Sequence, residues 1–112
     1  MELQVSHEDN CVLAATAGRI DDSAEELFRD RLHPLVGQRG TRLVLDLSQS
    51  NFITSRGIGL LVSLVAHANT NGSRVIMAAC SPFIVAVFET TKLNTFFQIA
   101  PTVSEAISQL SA

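Results

Sequence analysis

The sequence predicts a single α/β domain built on a mixed sheet of four to five strands with about four helices. Apolar runs typical of buried strands alternate with segments whose apolar residues recur at helical spacing, as in sheets whose strands are joined by helices. The first two strand-like runs are separated only by a short polar turn, which indicates an antiparallel hairpin. The chain has 112 residues and no linker, repeat or low-complexity tract, so we expect one domain over residues 1–112.

The predicted hairpin occupies the amino terminus. Residues 3–8 alternate apolar and polar side chains, and after Glu8-Asp9-Asn10 the run Cys11–Ala17 supplies the second strand. Asp21, Asp22 and Ser23 then offer N-cap oxygens. The apolar residues of the helix that follows are Ala24, Leu27, Phe28, Leu32 and Leu35.

Pro34 limits this first helix. Proline lacks an N–H group and clashes with the preceding turn, so Pro34 should kink or end the helix. The helix is therefore expected to be short or bent, and Gly37 and Gly40 mark its exit.

The middle of the chain contains a buried strand and the clearest helical pattern. Residues 41–47 are almost continuously apolar, which is typical of a strand covered on both faces. Residues 58–68 carry an i, i+3, i+4, i+7 apolar pattern, and Asn71-Gly72 supplies the left-handed residue that ends many helices.

The last third repeats the alternation. Residues 73–80 form another buried strand, and Ser81-Pro82 places a capping hydroxyl before a proline at the first helical position. The helix that this predicts carries Phe83, Val87 and Phe88. After a short segment, Thr102-Val-Ser-Glu105 is a capping-box pattern that predicts a terminal helix. The order of elements indicates an α/β sheet with right-handed crossovers.

Charge and hydropathy argue against two classes of partner, nucleic acids and membranes. Eight Lys and Arg against eleven Asp and Glu give a formal charge of −3, the wrong sign for neutralising nucleic-acid phosphates, so no nucleic-acid partner is expected. The apolar runs are too short to span a bilayer, and the first residues lack a signal-peptide pattern, so we expect a cytoplasmic protein with no membrane partner.

The cysteines and histidines suggest no cofactor. Cys11 and Cys80 lie in apolar runs without Cys-x-x-Cys spacing, which favours burial as small hydrophobes over a redox role. His7, His33 and His67 are scattered and match no metal-binding motif, so no metal or other cofactor is expected.

Residues 46–61 are the candidate functional segment, because they join a buried strand to the helix with the clearest helical pattern. Ligands of open α/β sheets usually bind at this edge. Thr54 and Ser55 fall at or near the N-cap, and Gly57 and Gly59 lie in the first helical turn despite the low helix propensity of glycine. The pair lacks the third glycine of a dinucleotide-binding loop, and no P-loop or nucleophile-elbow motif occurs, so no catalytic residue is assigned.

Two interpretations of this helix start remain open. In the structural one, Ser55 caps the helix and the glycines permit close packing against the sheet. In the functional one, the glycines expose backbone N–H groups to a partner, and the Ser55 hydroxyl is phosphorylated. A phosphate there would meet the helix dipole favourably and add negative charge that repels a docked partner.

The same segment resembles the STAS family of bacterial anti-sigma factor antagonists. The resemblance rests on Asp46-Leu-Ser followed by Phe52-Ile-Thr-Ser-Arg-Gly-Ile-Gly-Leu-Leu61. It extends to Gly18-Arg-Ile-Asp21 before the first helix and to Ala79-Cys-Ser-Pro82 before the third. It covers nearly the whole chain and agrees with the predicted order of elements.

The resemblance implies a partner-switching protein. Family members bind a serine-kinase anti-sigma factor, which inactivates them by phosphorylating a serine at the central helix start, and a metal-dependent serine/threonine phosphatase restores them. By position Ser55 is the implied phosphorylation site. The implied partner-binding residues are Asp21, Thr54, Ser55, Arg56, Gly57, Ile58 and Gly59. ATP and magnesium would belong to the kinase.

Two residues depart from the family pattern. Thr54 stands where the family usually has Asp, and Arg56 stands where it usually has a second Ser. Thr54 is either a cap or loop hydroxyl or a second phosphoacceptor. Arg56 is either an exposed helix-start residue or a partner for a nearby phosphate. Asp21 is either a helix-start carboxylate or part of the partner surface.

Two further functions compete with partner switching. One is an accessory or scaffold subunit of a transporter or other signalling complex, which would bind by the same face without phosphorylation. The other is a small-molecule enzyme, which is disfavoured because no acid/base pair or nucleophile arrangement emerges.

Overall fold

The computed structural model describes residues 1–8 and 10–111, and in that part of the chain five strands and four helices alternate after an initial hairpin. The strands are β1 (Glu2–Glu8), β2 (Cys11–Ala17), β3 (Arg42–Gln49), β4 (Arg74–Ala78) and β5 (Gln98–Ala100). The helices are α1 (residues 22–36), α2 (Ser55–Thr70), α3 (Pro82–Thr90) and α4 (Val103–Ser111). The short predicted segment before the last helix is β5.

The sheet is mixed, and its spatial order β1-β2-β3-β4-β5 follows the chain. β1 and β2 are antiparallel and form the predicted hairpin, whereas β2 to β5 are parallel. In the hairpin turn Asn10 adopts a left-handed φ of 68°, which asparagine tolerates, and Asp9 lies outside the described residues. Each helix that connects parallel strands advances the sheet by one strand.

Apolar side chains cover both faces of the sheet. Leu43 and Leu45 of β3 join the larger cluster, which also contains buried residues of α1, α2 and α3. Val44 belongs to the second cluster, formed with Ile76 and with Ala106 of α4. Three helices therefore pack on one face and α4 on the other, which explains why β3 lacks the alternating pattern of a half-exposed strand.

The first helix passes through Pro34 and does not end there. It begins with a 3₁₀ turn, widens to a π turn over Phe28–Leu32 and regains α geometry over His33–Val36. The wide turn immediately precedes Pro34, where regular α geometry would press the proline ring against the carbonyl four residues earlier. The expectation was a short or bent helix that ends near Gly37. The helix is not cut short at Pro34, because the irregular turn accommodates the proline, and it ends at Gly37 as predicted.

Two details at the end of β4 differ from expectation. The strand ends at Ala78 and not at Cys80, because Ala79 takes a left-handed φ of 55°. Ser81 precedes α3, and Pro82 takes the first helical position as predicted. The Ser81 hydroxyl does not cap α3; it donates instead to the carbonyl of Ser50, at 3.1 Å.

The other predicted helix signals are confirmed. Asp21 caps α1 by accepting a hydrogen bond from the Ser23 N–H, at 3.0 Å. After α2, Gly72 adopts a left-handed φ of 71°. Before α4, the Thr102 hydroxyl accepts the N–H of Glu105 at 3.1 Å, one half of the expected capping box. No helix among residues 1–8 and 10–111 is long and apolar enough to cross a membrane.

Truncating the centre of the sheet should be costly. Leu45 is fully buried between β2 and β4. Replacing it with alanine should lower the free energy of unfolding by about 2–5 kcal/mol, because apolar burial is lost and a cavity remains. Val85→Ala on the exposed side of α3 is the control, with an expected change below about 1 kcal/mol. Urea unfolding measures both, and equal losses would contradict this description of the core.

Candidate functional site

The segment predicted to carry chemistry lies at the carboxyl end of β3, as a loop of five residues between Gln49 and Ser55. Ser50 is fully buried and anchors the loop. Its hydroxyl pairs with that of Thr16 on β2 at 2.7 Å, and its carbonyl accepts the Ser81 hydroxyl. Because the neighbouring elements hold the loop on both sides, the start of α2 has a fixed position.

The turn that follows β2 also binds this loop. The N–H of Gly18 donates to Gln49 and that of Ile20 donates to Phe52, both at 3.0 Å. The N–H of Thr54 returns a bond to the Ile20 carbonyl at 3.1 Å. Ile20 thus forms a parallel bridge with Ile53, and both side chains are buried. Two of the three sequence stretches that carried the family resemblance are therefore in direct contact.

Gly57 is required by this contact. A Cβ atom at Gly57 would lie 2.0 Å from the Ile20 carbonyl oxygen, a distance that no side chain tolerates. Gly59 differs, because a Cβ there would meet nothing within 4 Å. The structural interpretation, in which both glycines permit close packing, therefore holds for Gly57 and not for Gly59, where a side chain would meet open space.

Thr54, and not Ser55, caps α2. Its side-chain oxygen accepts the N–H of Gly57 at 3.2 Å, and its carbonyl accepts the N–H of Ile58 at 2.9 Å. Ser55 is the first helical residue and is exposed. The interpretation of Ser55 as the cap was wrong, because Thr54 holds the extended backbone conformation that an N-cap requires. Ile58 is half-buried against the core.

Arg56 is exposed and forms an ion pair with Glu25 of α1. This pair was not predicted, because nothing in the sequence indicates which carboxylate of α1 faces the start of α2. Beneath it, α1 and α2 enclose a groove of about 480 Å³. Its walls include Glu25, Phe28 and His33 of α1 and Arg56, Gly59 and Ser63 of α2.

Asp21 lies beside the bridge, one residue after Ile20. Hydrogen bonds from the hydroxyl and then the N–H of Ser23 lower the pKa of its carboxyl group, and Arg19 assists at 3.5 Å. The carboxylate is therefore ionised and capping α1, as the structural interpretation expected. The Ile20 carbonyl links this turn directly to the first turn of α2, so Asp21 adjoins the candidate site.

Sequence reasoning missed an aromatic cluster at the same edge. The Arg19 guanidinium lies 4.2 Å from the centre of the Phe52 ring, and Phe52 stacks on Phe83 with centroids 5.2 Å apart. Phe83 remains 43% exposed, although the pattern had placed it among the apolar residues of its helix. The only available signal was the position of Phe83 directly after Pro82, at a helix start.

The cysteines and histidines, for which no redox or metal-binding role was expected, differ in their surroundings. Cys11 is buried, and Cys80 is a partly buried free thiol whose pKa burial raises to about 11. His33 and His67 were predicted to be scattered, but α1 and α2 bring their Nδ1 atoms within 2.7 Å. No group of three or more potential metal-ligating side chains forms among residues 1–8 and 10–111.

The cap assignment predicts different costs at two adjacent residues. Thr54→Ala should lower the free energy of unfolding by about 0.5–2 kcal/mol, because the N–H of Gly57 loses its acceptor. Ser55→Ala should change it by less than about 0.5 kcal/mol, since Ser55 makes no cap contact and is exposed. Thermal or urea unfolding measures both. A larger loss at Ser55 would reverse the assignment.

The two glycines predict a second contrast. Gly57→Ala should destabilise the protein severely, because its methyl group would overlap the Ile20 carbonyl and break the bridge between the loops. Gly59→Ala should be neutral or stabilising by up to about 1 kcal/mol, since alanine favours the helix and has room. Melting temperatures of the two variants provide the measurement, and similar values would contradict the close approach at Gly57.

Sequence comparison identifies relatives over most of the chain. The family model described as the STAS domain matches residues 2–106. A STAS-domain containing protein of Pseudomonas aeruginosa (strain UCBPP-PA14) is 29% identical over 83 residues, which are 74% of this chain and 81% of that protein.

Solved structures share the fold. An anti-sigma-factor antagonist (STAS) domain protein from Planctomyces limnophilus superposes with a TM-score of 0.85 at 20% identity, covering 98% of each chain. The Bacillus cell fate determinant SpoIIAA in its phosphorylated form gives a TM-score of 0.75 at 22% identity, covering 97% of this chain and 99% of that one. At such identities the likeness establishes the fold, and the family model extends it to the sequence: the chain belongs to the STAS domain family.

Proposed function

We propose that this protein is an anti-sigma factor antagonist that binds a serine-kinase anti-sigma factor and is switched off by phosphorylation of Ser55. The protein catalyses no reaction and acts by binding its partner in the cytoplasm. A metal-dependent serine/threonine phosphatase removes the phosphate from Ser55. The observation that carries the proposal is an exposed hydroxyl, free of any capping role, on the first residue of a rigidly held helix.

The division of roles between Thr54 and Ser55 supports this assignment. The Thr54 hydroxyl stabilises the helix by capping it, so modifying that oxygen would remove the cap. The Ser55 hydroxyl is exposed, so a phosphate there leaves the cap, the bridge and the core intact. The structure thus favours Ser55 over Thr54 as the acceptor on physical grounds.

The helix start also suits a phosphate. The kinase would transfer the γ-phosphoryl group of ATP to the Ser55 oxygen, which loses its proton, and ADP would leave. The product carries about −1.5 to −2 charges at the positive end of the α2 dipole, where negative charge is favoured. The fold therefore tolerates the modification, while a partner that contacts this surface meets new negative charge.

The partner surface that we propose surrounds Ser55. It comprises Asp21 and, from the first turn of α2, Thr54, Ser55, Arg56, Ile58 and Gly59. Gly57, which the sequence had placed in this surface, is buried against the Ile20 carbonyl and does not belong to it. Gly59 supports this choice, because its lack of a side chain serves no packing need in this chain and leaves the helix backbone open to a docking partner. Arg56 and Glu25 place one charge of each sign beside Ser55, which gives a partner a defined electrostatic pattern to match.

Phosphate mapping and binding test the proposal together. Incubation with the serine-kinase anti-sigma factors of the source organism and ATP should place phosphate on Ser55, as located by mass spectrometry. Ser55→Asp should weaken binding to the same partner by at least about tenfold, because it introduces negative charge at the contact. Ser55→Ala should bind like the unmodified protein and accept no phosphate.

Thr54→Ser is the matched control, since it preserves a capping hydroxyl and should still be phosphorylated at residue 55. Phosphate on neither residue, with binding intact, would favour the alternative of an unphosphorylated subunit of a transporter or other signalling complex. Equal affinities of the Ser55→Asp and Ser55→Ala variants would show that Ser55 lies outside the contact.

A further inference from the structure

The contact between His33 and His67 joins α1 to α2, and His33 also lines the groove between these helices. The two imidazole rings are stacked, with centroids 4.9 Å apart and planes inclined by 27°. Their Nδ1 atoms are 2.7 Å apart. Gly37 packs against the same place, since a Cβ there would lie 3.5 Å from the His67 ring.

This distance fixes the protonation of the contact. A nitrogen-to-nitrogen separation of 2.7 Å is a hydrogen bond, so one Nδ1 must carry a proton and the other must offer a lone pair. A first added proton can enter at the Nε2 of the donating ring and leave the bond in place. A second must occupy the accepting Nδ1, and two N–H groups would then face each other between two positive rings.

The surroundings offer little to offset that second charge. His33 shares the groove with Glu25 and Arg29 of its own helix and with Arg56 of α2. Glu25 is paired with Arg56, and Arg29 is paired with Asp30. Partial burial, and then the charge of His67, hold the pKa of His33 below its ordinary value of 6.5. The folded protein therefore favours a neutral His33.

We propose that the His33–His67 contact is an acid-sensitive link between α1 and α2, made at neutral pH and broken when both rings are protonated. Because His33 also lines the groove beside the first turn of α2, breaking the link alters the groove as well. The inference is independent of the partner-switching proposal, because it concerns helix contact and requires neither a kinase nor a phosphate.

The sign of the pH dependence follows from the lowered pKa of His33. In the unfolded chain this imidazole binds a proton near its ordinary value of 6.5, whereas in the folded protein it does so only at lower pH. Neutral His33 therefore makes its full contribution to the stability of the folded protein above pH 6.5. That contribution is lost progressively as pH falls toward the folded pKa of His33.

Melting temperatures of the wild type and three variants test this link. Between about pH 7.5 and about pH 5 the wild type should lose clearly more in Tm than His33→Gln or His67→Gln, because each variant removes one of the two charges. His7→Gln, on the exposed surface of β1, is the matched control and should behave like the wild type. Identical Tm losses in all four proteins would overturn the proposal.

A second measurement covers the case in which a variant fails to fold. In the wild type, NMR titration of the His33 ring should give a midpoint below 6.5, and in His67→Gln, if it folds, the midpoint should move upward. Long-range ¹H–¹⁵N correlations at neutral pH should show one ring protonated at Nδ1 and the other at Nε2. A His33 midpoint at or above 6.5, or Nε2 protonation of both rings, would refute the link.

Discussion

The close approach of Gly57 to the Ile20 carbonyl is the constraint on which the arrangement of the site depends. The same carbonyl accepts the N–H of Thr54. One peptide group therefore binds the loop before α2 and also limits how closely α2 approaches the turn after β2. Thr54 is thereby held in the extended conformation that lets it cap α2, and Ser55 becomes the first exposed residue of the helix. The accessibility of Ser55 is thus a consequence of packing among other residues.

Much of the fold could be predicted because it follows local rules. The apolar run at residues 41–47, the helical pattern at 58–68 and the turn at Asn71-Gly72 each depend on neighbours in the chain, and each was confirmed. Pro34 shows the limit of such rules. Whether a proline ends a helix depends on whether the preceding turn can widen, and here the widened turn has its two end residues, Phe28 and Leu32, buried in the core.

The position of the candidate segment, between a buried strand and the start of a helix, could be predicted, but its side-chain pairings could not. Thr54 and Ser55 are adjacent hydroxyl residues, and only the backbone conformation distinguishes the cap from the free side chain. The pairs Arg56–Glu25 and His33–His67 join residues more than thirty positions apart, across two helices whose rotation about their axes no local pattern specifies. Gly57 and Gly59 likewise look equivalent in sequence, although only one of them faces a carbonyl oxygen.

The strictly sequential order of the strands has a consequence for how the protein forms. Every strand pairs with the one that precedes it in the chain, so no strand has to wait for a distant partner. The β1–β2 hairpin can assemble first, and each later helix–strand unit can add to an existing edge, as suits a chain that emerges from the ribosome amino terminus first. The bridge around Ile20 and the cap on α2 therefore involve only residues that precede the last two strands in the chain.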